Sequence, residues 1–136
     1  MSERARRAAD QLLGLAKTDA LAQLCSQLGI ELMVLFGSAF ANDDPNDVDL
    51  AVRFAPSVDA DLLTLLDKLY QLTRYEGFDV LDLGRAGPLA RERALVGGVP
   101  LHEARPGLFA NSQIAAIMER LDTDEMRRVE LALLAE

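Results

Sequence analysis

The stretch Leu35-Phe36-Gly37-Ser38-Ala39-Phe40-Ala41-Asn42-Asp43-Asp44-Pro45-Asn46-Asp47-Val48-Asp49-Leu50-Ala51-Val52 decides the fold. It begins at the end of an apolar run, Leu32 to Phe36, that reads as a short buried strand over 30–36 and is stopped by Gly37. It ends in a second strand over 48–54, closed by Pro56 and Ser57. Between them lies a polar loop in which Pro45 and Asn46 are turn formers. Side chains alternate along a strand, so Asp47 and Asp49 share one face, while Val48 and Leu50 share the other and can enter a core. Two carboxylates therefore stand side by side, and their mutual repulsion is relieved when a cation lies between them.

Working outward, 2–28 reads as helical, with Leu21, Leu24, Cys25 and Leu28 on one face, Gly29 at its end, and 17–19 as a place where it can divide in two. After 48–54, Ser57 is available to cap a helix carrying Leu62, Leu65, Leu66, Leu69 and Leu72 at core spacing. A third strand follows over 78–83, and then a turn over 84–87. Pro88 next suits the first position of a helix running to about Val96. Residues 99–103 read as a short edge strand. Beyond Pro106 and Gly107 come C-terminal helices over 106–136, the second starting after Asp122, whose side chain caps it with Glu125 at the capping-box position. The order of elements predicts an α/β (α+β) domain with a small mixed sheet flanked by helices. The two adjacent strands joined by a short loop exclude a pure βαβ succession, and no dinucleotide-binding glycine fingerprint occurs.

Composition narrows the function classes. The chain has 136 residues, 14 Lys plus Arg against 22 Asp plus Glu, a net charge of −8 and 50% hydrophobic residues. One domain of this length buries roughly 68% of its unfolded surface, enough for a core without disulfides or a structural metal. The acidic balance and the absence of Trp argue against broad nucleic-acid binding. No run approaches the ~18 apolar residues of a membrane span. The charged start over 1–7 lacks the apolar core of a secretion signal, and the lone Cys25 has no intrachain partner; both lead to the expectation of a cytoplasmic protein.

The chemistry concentrates around the acid pair. Mg²⁺ takes a few carboxylate oxygens together with waters and substrate phosphates, which suits two strand carboxylates beside a phosphate cradle. Gly37 and Ser38 are the candidate cradle, because glycine permits close backbone approach and Ser38 offers a hydroxyl and an N–H. A third acid comes from the strand 78–83, where Asp79 and Asp82 lie on opposite faces, so that only one can join the pair. The loop acids Asp43 and Asp44 lack the Gly and Glu positions of a calcium-binding EF-hand loop and read as a solvated turn.

This Gly-Ser, loop, Asp-hydrophobic-Asp strand and later strand acid resembles the minimal nucleotidyltransferases, the short members of the polymerase-beta-like nucleotidyltransferase superfamily, over about residues 30–104. The resemblance implies that Gly37 and Ser38 match the nucleotide-phosphate loop, Asp47 and Asp49 the metal-binding pair, and Asp79 the third carboxylate, leaving Asp82 a supporting role. It implies two Mg²⁺ ions, ATP as substrate, and transfer of AMP to an acceptor hydroxyl. It further implies a HEPN-type helical protein as partner, with this chain as the antitoxin and a tyrosine of the toxin as acceptor. Two departures stand out. Only the eight residues 39–46 separate Ser38 from Asp47, and Ala39, Phe40, Ala41 and Asn42 replace the basic residues common in the family after Gly-Ser. They motivate a rival reading, a catalytically degenerate binding module that neutralises or scaffolds a partner. Transfer to a small molecule is disfavoured because no second domain is visible.

The remaining polar residues have blander expectations. Arg53 reads as a surface ion pair, Arg91 and Arg93 as a solvated helix face that touches a nucleotide only if that helix borders the cleft, and His102 as a surface or packing residue. Cys25 reads as a buried small hydrophobe. The set Ile114, Ile117, Met118, Leu121, Met126, Val129 and Leu133 reads as core by default, with a partner or self-association surface (homo-oligomer) as the alternative.

Overall fold

Alternation of apolar residues builds a sheet whose two faces are covered by different helices. The structure, a computed structural model, describes residues 1–37 and 45–135. Among these it has α1 (Glu3–Ala16), α2 (Asp19–Leu28), β1 (Ile30–Phe36), β2 (Val48–Phe54), α3 (Leu62–Thr73), β3 (Phe78–Asp82), α4 (Pro88–Val96), β4 (Gly98–Glu103) and α5 (Leu108–Leu134). The sheet runs β3-β2-β1-β4. β1 pairs antiparallel with β2 and β4, and β2 pairs parallel with β3 across the α3 crossover. The expected mixed sheet flanked by helices is what forms.

One face is closed. Leu50 and Val52 of β2 and Met33 of β1 pack against Leu12, Leu21, Leu24, Leu65 and Leu69 from the first three helices. On the opposite face Leu32, Val34 and Ala51 meet Ala94 and Leu95 of α4 and Leu108 and Ala116 of α5. A small third cluster of Ala5, Ala8, Ala9, Val48 and Tyr75 closes the end of the sheet where β2 begins. Local signals set the boundaries. Thr18 divides the first helical stretch by accepting from the Ala20 N–H, and Gly29 ends α2 at φ +71°, a conformation that glycine adopts without a Cβ penalty. Pro88 stands at the start of α4 as its missing N–H allows.

Two helix boundaries differ from expectation. Asp61, not Ser57, caps α3: its carboxylate accepts from the Thr64 N–H at 3.0 Å and the Thr64 hydroxyl at 2.6 Å. Those bonds hold the Asp61 carboxyl below its ordinary range, the hydroxyl contributing most. Ser57 is spent in a turn in which the Val58 N–H reaches the Ala55 carbonyl. The C-terminal region is one helix rather than two. No Gly or Pro interrupts Leu108 to Leu134, and an Arg120–Asp124 ion pair of 2.8 Å spans the expected break at Asp122. Continuity changes the fate of the C-terminal apolar set. Ile114, Met118, Leu121, Met126, Val129 and Leu133 are exposed, and the side of α5 that packs is Leu108, Ser112 and Ala116. The default reading of that set as core is therefore corrected. No described helix is long and apolar enough to cross a membrane.

Candidate active site

The parallel pairing of β2 and β3 puts Asp49 and Asp79 in register as direct partners. Asp47 lies two residues before Asp49, on the same side by alternation. One carboxylate oxygen from each of Asp47, Asp49 and Asp79 lies within 4.8 Å of the others; the first two are half-buried and Asp79 is exposed. The partner of Asp49 on the other neighbouring strand is Phe36, the last residue of β1, so Gly37 leaves the sheet beside the acids. Among the described residues, a Cβ at Gly37 would meet nothing within 4 Å. Ser38, the other half of the expected cradle, and the loop residues 39–44 lie outside the described residues.

Several residues outside the motif hold this end of β2. Val48 is buried, and its N–H donates to the Gly77 carbonyl at 2.8 Å. The Ser2 N–H donates to the Pro45 carbonyl at 2.6 Å, and the Tyr75 hydroxyl donates to the Asn46 carbonyl. Tyr75 itself is buried edge-on to Phe78, with ring centroids 5.8 Å apart. Gly77 fits only because it has no side chain: a Cβ would lie 2.5 Å from the Asn46 carbonyl oxygen and 2.7 Å from the Tyr75 hydroxyl. Sequence reasoning passed over Tyr75 and Gly77. The Gly ahead of the strand was a visible signal, but its meaning depends on Asn46, in a segment distant in sequence.

The acids open on a cleft of about 420 Å³, within the range of small-ligand sites, lined by Phe36, Asp49, Asp79, Val80, Leu81, Leu89, Ala90 and Arg93. The α4 helix thus borders the cleft and brings Arg93 to it. Arg91 does something else. Its guanidinium donates to the Leu83 carbonyl at 3.1 Å and the Ala86 carbonyl at 2.7 Å and pairs with Glu119 of α5. The solvated-face expectation is corrected for Arg91, while Arg93 is exposed and lies where the expectation's condition, a helix bordering the cleft, is met. Arg53, expected in a surface ion pair, is instead half-buried and donates to the Ser112 hydroxyl at 3.0 Å, tying β2 to α5. Asp82 accepts from the Gly84 N–H at 2.9 Å and shapes the turn after β3, away from the triad. Burial pushes the Cys25 thiol up to about 12, so it stays protonated and packs as a small hydrophobe. His102, half-buried on β4, is lowered by desolvation against the opposing charge of Glu103.

The donor set suits a hard cation: three carboxylates from adjacent strands supply only oxygen, and the open cleft leaves room for water and phosphate ligands.

No family model matches the chain, and no curated protein matches it. Solved structures do. A chain of the toxin–antitoxin complex MntA–HepT superposes with a TM-score of 0.62 at 19% identity, covering 90% of this chain and 99% of that one. A chain from the complex of a tri-AMPylated Shewanella oneidensis HEPN toxin with its MNT antitoxin gives 0.62 at 19% identity, over 91% and 99%. A toxin–antitoxin structure with AMP-PNP gives 0.61 at 20% identity, over 85% and 96%. The chain shares the fold of these toxin–antitoxin chains. Nearly the whole of each matched chain is covered, so the likeness extends past the motif to the helices around it.

Proposed function

We propose that the chain is a cytoplasmic, metal-dependent nucleotidyltransferase that moves AMP from ATP to a tyrosine hydroxyl of a HEPN-type toxin and so acts as its antitoxin. The observation that carries this reading is the register of Asp49 against Asp79, with Asp47 in reach, at the mouth of a cleft beside Gly37. The fold likeness to proteins solved with an AMPylated toxin and with AMP-PNP supports it.

In the proposed site Asp47 and Asp49 hold the divalent cations, with Asp79 as the third ligand, and Gly37 and Ser38 cradle the triphosphate. Bound Mg²⁺, two ions in this reading, supplies neutralisation of the phosphate charge and lowers the pKa of the acceptor hydroxyl. The tyrosine oxygen forms a bond to the α-phosphorus, the bond from that phosphorus to the bridging oxygen breaks, and pyrophosphate leaves with the electron pair. The hydroxyl proton is taken up at Asp79, the exposed member of the triad. Holding these groups in line, with charge already organised around them, is the main catalytic contribution expected of the protein.

The test is to incubate the chain with ATP, Mg²⁺ and a HEPN-type partner and to weigh the partner by mass spectrometry. AMP-sized additions on tyrosine are expected, and none after prolonged incubation would sink the reading. The exposed apolar residues of α5 favour one alternative, a binding module that neutralises its partner without chemistry. That alternative requires the Asp47→Asn, Asp49→Asn double variant to bind and protect as well as the wild type does.

A further inference from the structure

Two carboxylates, Asp49 and Asp79, line the cleft with Asp47 within 4.8 Å of both, and in the proposed function this end of the sheet receives a polyanion. Like charges there repel, and divalent cations offset only part of that repulsion. A fixed positive side chain is a further means, and the segment from Gly37 to Asp47 contains no Lys or Arg. Among the described residues that line the cleft, Arg93 is the one cation. It stands one helical turn after Leu89 on α4, and both side chains line the cleft, as an i,i+4 pair on one helix face should. Arg91, two positions earlier, points to a different side and is taken up by Leu83, Ala86 and Glu119.

A guanidinium offers a planar fork of donors that matches phosphate oxygens in bidentate fashion. The other lining residues include Phe36, Leu81, Leu89 and Ala90, and apolar walls of this kind strengthen a charge-assisted hydrogen bond by lowering the local dielectric. We infer that Arg93 binds the phosphate chain of the incoming nucleotide, supplying from α4 the positive charge that the loop after Gly37 lacks. The inference rests on the nucleotidyltransferase reading and assigns it a specificity-determining residue. Its distinctive consequence is that the contribution of Arg93 grows with the number of phosphates on the ligand.

The experiment is calorimetric titration of the full chain with ATP, ADP and AMP in Mg²⁺, for the wild type, Arg93→Gln and Arg93→Lys. The nucleotide-free melting temperature of each variant is measured alongside, so that any change in the fold is read separately from the change in nucleotide affinity. Arg93→Gln should weaken ATP binding about 10- to 100-fold, ADP less, and AMP by less than about threefold, with Arg93→Lys recovering part of the loss. Equal ATP affinity in the wild type and Arg93→Gln would overturn the inference alone. An equal loss for all three nucleotides would also overturn it, because that pattern belongs to a residue that shapes the cleft or meets the nucleoside. A wild type that binds none of the three would overturn both the inference and the reading beneath it.

Discussion

Asp49 and Leu50 are neighbours on β2 and face opposite sides of the same sheet. Leu50 enters a layer where α1, α2 and α3 leave no solvent, and the residues around it are apolar and closely packed. Asp49 faces the side covered by α4 and α5, where the cover stops short and a cleft remains. Both faces use the same strands, so the difference lies in the helices. The closed face supplies the stability that lets the open face keep three like charges together. A site of this kind belongs where packing is incomplete, because buried carboxylates without a partner would be costly.

The comparison can be broken from either side. The largest effect is expected on the open face: Asp47→Asn with Asp49→Asn should lower AMP transfer by about 10³-fold. The same double variant is expected to stay folded, since it leaves the buried Val48, Leu50 and Val52 of β2 in place. A drop in melting temperature together with the activity would mean that the acids are structural. On the closed face, Leu50→Ala should destabilise the fold by about 2–5 kcal/mol, read from denaturant midpoints, while any protein still folded keeps its nucleotide affinity. Equal sensitivity of both readouts would show that the two faces are not separable.

Gly77→Ala sharpens the boundary between the faces. A Cβ there would collide with the Asn46 carbonyl and the Tyr75 hydroxyl, so a cost of about 1–3 kcal/mol is expected. Because the displaced segment leads into Asp47, Mg²⁺-dependent nucleotide binding should fall by more than that stability loss explains. The smallest effect concerns His102 on the edge strand β4. Its folded-state pKa is lowered by desolvation below the unfolded value near 6.5. The unfolded chain therefore binds the proton more readily, and the stability due to neutral His102 is complete above about pH 6.5 and is lost as pH falls through the folded value. His102→Gln should flatten the melting curve of stability against pH in that window, and an unchanged slope would remove His102 as its source.

The strands and the Asp47–Asp49 pair were legible in the sequence because their signals are local, whereas Asp79 rather than Asp82 as the third acid came from the resemblance alone. Alternation around Asp47-Val48-Asp49-Leu50 assigns faces directly, and Gly37 and Pro88 mark boundaries that need no tertiary information. The parts that were not legible depend on contacts distant in sequence. Whether Arg91 or Arg93 reaches the cleft is decided by how α4 rotates on α5, through Arg91–Glu119 and Arg120–Glu92 pairs that no local pattern announces. The Asp122 cap was a sound local signal overridden by helix-forming neighbours on both sides and an ion pair across it. The exposure of Met126, Val129 and Leu133 followed from that continuity, since the extended helix runs beyond the layer it could have packed on.

The most direct test of the central claim needs no partner. Thermal melts of the wild type and of the Asp47→Asn, Asp49→Asn double variant would be run with ATP, with and without Mg²⁺. At roughly a hundredfold excess over the dissociation constant, bound nucleotide stabilises the folded state by about 2.7 kcal/mol. A Mg²⁺-dependent rise is expected in the wild type, vanishing in the variant. A rise of the same size in both proteins, or no rise in the wild type at millimolar ATP, would contradict it.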